Sequence, residues 1–193
     1  MKSLVLNVIF LLGLVGLTSL SACAGSSTPK PTAALPNATA TIGKVMVLEF
    51  PLSDLTDLPN PPEELARIAH FNVAFKQKLA ADGVELVPVN DKIKAIAAAQ
   101  SATYLFDHTD IAAGLAEGSG ADYIIIGVAM KPTYLFVYPR ILLVDIKTKR
   151  KAFTAYVQME GSWLDKEHTA SSAKNLADKV TAELKQLKVL TNK

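Results

Sequence analysis

Cysteine is almost absent. The 193-residue chain has one, Cys23, so no internal disulfide can form, and a lone thiol in an exported protein has to be explained by its position. Histidine is scarce too: His70, His108 and His168 lie far apart, and none makes a metal pair at helical or hairpin spacing. There is no Gly-x-x-x-x-Gly-Lys loop and no Gly-x-Gly-x-x-Gly fingerprint to cradle phosphate or a dinucleotide. No serine sits in a Gly-x-Ser-x-Gly elbow. A net charge of +2 gives no global field that would favour nucleic acid. These absences leave no catalytic set to name and imply no cofactor.

What is present is enough for a core. Half the residues are apolar and 20% are charged, too apolar a composition for disorder. The charges are uneven. Residues 43–120 hold 6 basic and 11 acidic side chains, and residues 140–193 hold 11 basic and 6 acidic. Two solvated faces of opposite sign explain this, and so does a dipolar surface that orients a partner.

The N-terminus accounts for the cysteine. Met1-Lys2-Ser3 is a short positive start, residues 4–17 are apolar apart from Asn7 and two glycines, and Leu20-Ser21-Ala22-Cys23 follows. A charged start, an apolar region and small residues before a cut site define an export signal. The apolar run is short of the ~20 residues a bilayer span needs. Leu20, Ser21, Ala22 and Cys23 resemble the bacterial lipobox. That resemblance implies a signal peptide over residues 1–22, cleavage before Cys23 and diacylglycerol on its thiol. Two or three acyl chains at ~0.8 kcal/mol per buried CH₂ would hold the chain at a bilayer nearly permanently. Ala24, where an aspartate would signal retention, resembles an outer-membrane address facing the periplasm. Residues 24–42 are rich in Ala, Ser, Thr and Pro without apolar period, a tether. Its 19 residues reach at most ~60–65 Å.

Residues 43–190 read as one domain. Residues 43–50 form a strand apolar on both faces, as in a covered sheet. Residues 51–62 are an acidic, proline-punctuated loop. Asn60 is placed to cap a helix with Pro61 in its first turn. Leu65, Ile68, Phe71 or Asn72, Phe75 and Leu79 give that helix an inward face, and Gly83 ends it. Residues 84–89 form a second strand, whose Pro88 favours an edge or a strand end. Residues 91–100 form a short helix. Asp107 or Thr109 can cap a third helix, which stops near Gly118-Ser119-Gly120. Residues 121–130 are a strong strand, residues 134–146 are a long β-rich stretch, and residues 152–159 alternate buried and wet positions. A last helix runs from Leu164 or Asp165 to Leu187. The order is β-α-β-α-α-β-β-β-α, which predicts an α/β (mixed α+β) fold with one mixed sheet of about five strands and helices packed on it.

Four motifs in that order, the strand at 44–50, DGVELVPV at 82–89, GADYIIIG at 120–127 and LLVDIKT at 142–148, resemble a pattern shared by periplasmic modules. These are related to the curli-secretion lipoprotein CsgG, to the penicillin-binding-protein activator LpoB and to the TolB N-terminal domain. A family of uncharacterised bacterial exported proteins is more similar still, with a late Ser-Trp before the last helix, as at Ser162-Trp163. The resemblance covers about residues 43–187. It implies a fold and a compartment, and relatives that are mostly binding or assembly modules. Proteins of the similar family carry a cysteine pair just before the GADY segment. Residues 104–109 here, Tyr-Leu-Phe-Asp-His-Thr, have none, so no redox or metal role of such a pair carries over. Pore formation of the CsgG kind needs membrane-crossing hairpins, and residues 134–153 have room for one ordinary hairpin.

The leading expectation is a non-enzymatic accessory lipoprotein, held to the bilayer by acylated Cys23, that binds another envelope protein. Its candidate contacts are Asp54 and Asp57 in the acidic loop, the aromatic alternation Tyr134, Phe136 and Tyr138, and Lys149 and Arg150 in a basic turn. A packing role for the aromatics, and for Trp163 against the last helix, is the plainer reading of those residues. The second reading is a small-ligand or metal-binding module using Asp107, His108 and Asp110, a stretch that helix capping also explains. The third is an unrecognised hydrolase, for which no nucleophile-base pair can be named.

Overall fold

The computed structural model describes residues 42–159, 162 and 164–191, with side chains to residue 188. The export signal, Leu20-Ser21-Ala22-Cys23, most of the tether and Trp163 fall outside the described residues. In chain order the elements are β1 (Lys44–Val47), β2 (Leu52–Asp54), α1 (Pro62–Ala81), β3 (Glu85–Val87), α2 (Asp91–Ala99), α3 (Tyr104–Asp107), α4 (Thr109–Ala116), β4 (Tyr123–Lys131), β5 (Tyr138–Asp145), β6 (Lys151–Tyr156) and α5 (Lys166–Thr191).

Among the described residues the strands form one mixed sheet in the order β3-β1-β4-β5-β6, with β2 beside β4. This is the expected α/β class and order with two short additions, β2 and the single-turn α3. The left side is parallel, where helices connect the strands, and the right side is an antiparallel meander. Alternate residues of the central strands enter two separate cores, as the period of two requires. Val45, Val47, Ile125, Ile141 and Leu143 pack under α1 and α5. Met46, Leu48, Ile124, Ile126, Leu142 and Val144 pack under α2 to α4. That double burial is why these strands read as unbroken apolar runs.

β1 and β2 are one strand interrupted. Between the pairs Val47↔Ile125 and Leu52↔Ala129, five steps on one side face four on the other, so the chain bulges. The sequence reading placed a loop here because Pro51 and the bulge hide the strand. The bulge turns the Phe50 ring inward over Gly127, where a Cβ would lie 2.5 Å from the ring. Phe50 makes edge-on contacts with Phe71 and Phe75, each at 5.2 Å between centroids. Its displaced backbone is satisfied from α1. The Phe50 amide donates to Asn72 Oδ1 at 2.8 Å, and Asn72 Nδ2 donates to the Phe50 carbonyl at 3.3 Å. Phe71 and Asn72, between which the periodicity did not choose, are both buried.

The helix ends differ in detail from expectation. Asn60 does not cap α1: the cap position is Pro61 without a side-chain bond, and Asn60 turns to another partner described below. Neither Asp107 nor Thr109 caps α4, whose cap position is His108. Asn90 does cap α2, accepting from the Ile93 amide at 3.0 Å, and Asp165 accepts from the His168 amide at 2.8 Å at the start of α5. Gly83, Gly118 and Gly120 adopt positive φ at the helix stop and turn where the sequence placed them. The β-rich stretch expected from residue 134 becomes a strand only at Tyr138, preceded by a single bridge between Val137 and Met159, and residues 132–136 are loop.

Candidate functional site

The sheet has two unlike ends, and β4 measures the distance between them. Its nine residues rise ~3.3 Å each, so its ends lie about 25 Å apart. At one end the chain enters the domain. The Ile42 amide donates to the Gly83 carbonyl at 3.1 Å, and the Lys44 amide donates to Asp122 Oδ2 at 3.1 Å. The β5–β6 turn is at this end also, with Lys147, Lys149 and Arg150 exposed and Lys149 at positive φ. Lys149 Nζ pairs with Glu117 at 3.0 Å.

At the other end β4 finishes in Lys131, which is 2% exposed. Its ammonium donates to Glu64 Oε2 at 2.6 Å, Asn60 Oδ1 at 2.9 Å and Asp54 Oδ2 at 3.0 Å. Glu64 is fully buried, and its Oε1 has no hydrogen-bond partner among the described residues. Arg67, also buried, lies one turn along α1 and donates through Nε to Thr169 Oγ1 at 3.0 Å. Burial works against the Lys131 ammonium, but the bonds to Glu64 and Asp54 outweigh it, so its pKa stands above the ordinary lysine value. Burial likewise pushes Asp54 up, and hydrogen bonds from Thr56 and Lys131 reverse this, leaving its carboxyl below the usual range. The cluster fixes the β2–α1 loop onto the end of the sheet. Its one sign in the sequence is a lysine that ends an apolar strand.

Over this anchored base the loops present apolar side chains. Eight large apolar residues are exposed among those described. Leu55, Leu58 and Leu65 flank the buried cluster, Tyr134 and Leu135 lie in the β4–β5 loop, and Tyr156 and Leu164 lie where β6 ends and α5 begins. Val73 is the only one of the eight elsewhere, midway along α1. Phe136 and Tyr138 are half-buried, with ring centroids 6.4 Å apart. The clustering exceeds the scattered exposure that any surface shows.

The structure therefore divides the candidate contact residues. Asp57, Tyr134, Phe136 and Tyr138 share the apolar end. Asp54 is there too, but its carboxylate is engaged by Lys131 and Thr56. Lys149 and Arg150 are at the opposite end. The stretch Asp107, His108 and Asp110 lies on α3 and α4, where His108 stacks on Tyr104 at 4.5 Å and its Nδ1 lies 2.9 Å from the Tyr104 carbonyl. Among the described residues no three His, Cys, Asp or Glu side chains are grouped to hold a metal. No helix among them is long and apolar enough to cross a membrane.

A model of a family described as a protein of unknown function (DUF2380) matches residues 43–180. Among curated proteins, none matches the chain. Solved structures resemble the chain at low identity. The PelC dodecamer from Paraburkholderia phytofirmans is 18% identical over 75% of this chain and 89% of its own, with a TM-score of 0.45. The LpoB C-terminal domain from Salmonella enterica is 13% identical over 65% and 87%, at 0.43. Lipoprotein GNA1162 from Neisseria meningitidis is 12% identical over 76% and 96%, at 0.44.

Proposed function

The chain belongs to that family of unknown function, and from this we propose that it is a lipid-anchored, non-enzymatic accessory module that docks another envelope protein with the apolar end of its sheet. One observation carries the reading: the exposed leucines and tyrosines gather at the end of β4 farthest from where the chain enters at Ile42. A domain held to a bilayer through Cys23 and residues 24–42 would turn its entry end toward the lipid and its apolar end toward the periplasm. Interfaces draw their affinity from a few well-placed aromatic and aliphatic anchors, and Tyr134 with Leu55 and Leu58 supplies them on a base made rigid by Lys131. Lys149 and Arg150, at the entry end, would then face anionic headgroups, each ~1 kcal/mol near such a surface.

The test is site-specific photocrosslinking in intact cells. A photoreactive residue at Tyr134 or Leu58 should capture one discrete envelope protein, and the same residue at Lys147 should not. The substitutions Leu58→Ser and Tyr134→Ser should abolish capture without lowering the unfolding temperature. Equal capture at both ends of the domain would refute the assignment.

A further inference from the structure

A cavity of about 600 Å³ opens at the carboxyl ends of β1 and β3, apart from the docking end. The topology makes the opening. From β1 the chain passes through α1 to β3 on one side, and from β3 through α2 to α4 to β4 on the other. β1 breaks off at Val47 and β2 rejoins β4 only at Leu52, and the opening lies against Ile126 and Gly127 of β4 in that interval.

Its walls are Leu48, Ile93, Ala97, Leu105, Phe106 and Ile126. α2 is the loose wall. Of its nine residues only Ile93 is buried, and Ala97 and Ala98 are exposed toward a space that larger side chains would close. Volume and lining fall within the range of small-molecule sites, ~300–1,000 Å³ and mostly apolar with few polar groups. Ion-paired lysines are the charged groups at its rim. Lys76 and Lys94 border the cavity with one carboxylate, Glu49, which pairs with Lys76. Lys94 pairs with Asp91 at 3.0 Å, and both of these side chains are largely exposed, a pairing that contributes little and exchanges readily.

We propose that this cavity binds the chain of a long-chain fatty acid, with the aliphatic tail between α2 and the sheet and the carboxylate at Lys94 and Lys76. The lining takes an apolar body, and Lys94, whose surface pair with Asp91 exchanges readily, supplies the countercharge. This assignment is independent of the docking end and uses none of its residues.

The test titrates the full-length protein, extracted from membranes, with the fluorescent fatty acid cis-parinaric acid. Saturable binding of one molecule per chain is expected. Ala97→Trp, which fills the cavity from an exposed helix position, should weaken it at least about tenfold, equivalent to ~1.4 kcal/mol, with the circular dichroism spectrum unchanged. Lys94→Glu should weaken the acid while leaving the corresponding long-chain alcohol unaffected. As a check that needs no variant, nitroxide-labelled stearic acid should broaden the methyl resonances of Ile93 and Ile126 and spare Val180 on the opposite face. Absence of saturable binding, binding indifferent to Ala97→Trp, or broadening of Val180 alone would overturn the proposal. Binding to a Cys23→Ser chain but not to the lipid-bearing chain would overturn it in favour of the protein's own acyl group as occupant.

Discussion

Lys131 Nζ donates to Glu64 Oε2 at 2.6 Å, joining the last residue of β4 to the first turn of α1 with both side chains buried. Neither charge is tolerable there alone. Removing one partner of a buried pair leaves the other unsolvated, at a cost of ~3–5 kcal/mol. Lys131→Met should therefore destabilise the domain by about that amount in urea unfolding. Lys44→Met breaks only the exposed 3.3 Å pair with Glu85 and should cost no more than ~1 kcal/mol. Adding Glu64→Leu and Asp54→Asn to Lys131→Met should restore much of the loss, because an apolar replacement of a whole buried cluster can equal it in stability.

The bulge offers a second, independent check. Asn72→Leu would leave the buried amide and carbonyl of Phe50 without their partners, each omission costing ~1–3 kcal/mol. Gly127→Ala would place a methyl group into the Phe50 ring, and overpacking of this kind costs ~1–3 kcal/mol. The double variant Gly127→Ala, Phe50→Leu should be less destabilised than the sum of its singles, since the smaller side chain removes the clash. Additive losses in chemical denaturation would show that the ring and the glycine are not coupled.

These two contacts also show where sequence reasoning stops. Local pattern was sufficient for β4, for the inward face of α1 apart from Leu65, which is exposed, and for the glycine stops, because burial of one face imposes a period that the residues display. Lys131 carried no such mark. A lysine after an apolar run reads as the end of a strand, and the carboxylates that make its burial possible are 67 and 77 positions away. Asn60 was legible as polar and helix-preceding, and therefore as a cap, when its partner is that same lysine. β2 escaped because one extra residue shifts its alternation and Pro51 interrupts it. The apolar end was half legible. Asp57 and the aromatic residues were named from composition, but that Leu55, Leu58 and Leu65 join them, and that Lys149 and Arg150 do not, follows from strand directions that no local window contains. The cavity beside α2 was invisible, since an alanine-rich helix reads alike whether its alanines face a core, water or a void.

Charge placement predicts the shape of the pH profile. Asp54, partly buried but held by bonds from Thr56 and Lys131, and Asp82, partly buried but held by Lys78 and Thr181, both have carboxyls below the usual range. In the unfolded chain these groups take up protons near pH ~3.9, whereas in the folded chain they resist. The unfolded state then binds more protons, so stability falls as pH drops below about 4. Lys131, raised above its ordinary value by Glu64 and Asp54 against the effect of burial, acts in the other direction. Its contribution is complete below the unfolded lysine value of ~10.4 and is lost as pH rises through the higher folded value. Unfolding free energy should accordingly be level between these limits and decline beyond each. Asp54→Asn should flatten the acid limb, and an unchanged acid limb in that variant would show that Asp54 does not titrate with folding.

The anchor makes the last prediction, and it can fail without touching the fold. If Cys23 carries acyl chains, the mature protein should begin at Cys23 and weigh more than its amino-acid mass by a diacylglycerol, with or without an amide-linked acyl group. It should sediment with membranes and enter solution only with detergent. Cys23→Ser should leave an unacylated chain that no longer requires detergent, while its domain, from residue 43 onward, unfolds at the same temperature as wild type. Each buried CH₂ contributes ~0.8 kcal/mol, so a single acyl chain would give marginal, reversible attachment and two or three would not. The number of chains found by mass spectrometry should therefore match whether the protein dissociates from membranes on dilution. Release by salt alone would mean that the basic turn at Lys149 and Arg150, rather than acyl chains on Cys23, holds the domain at the surface.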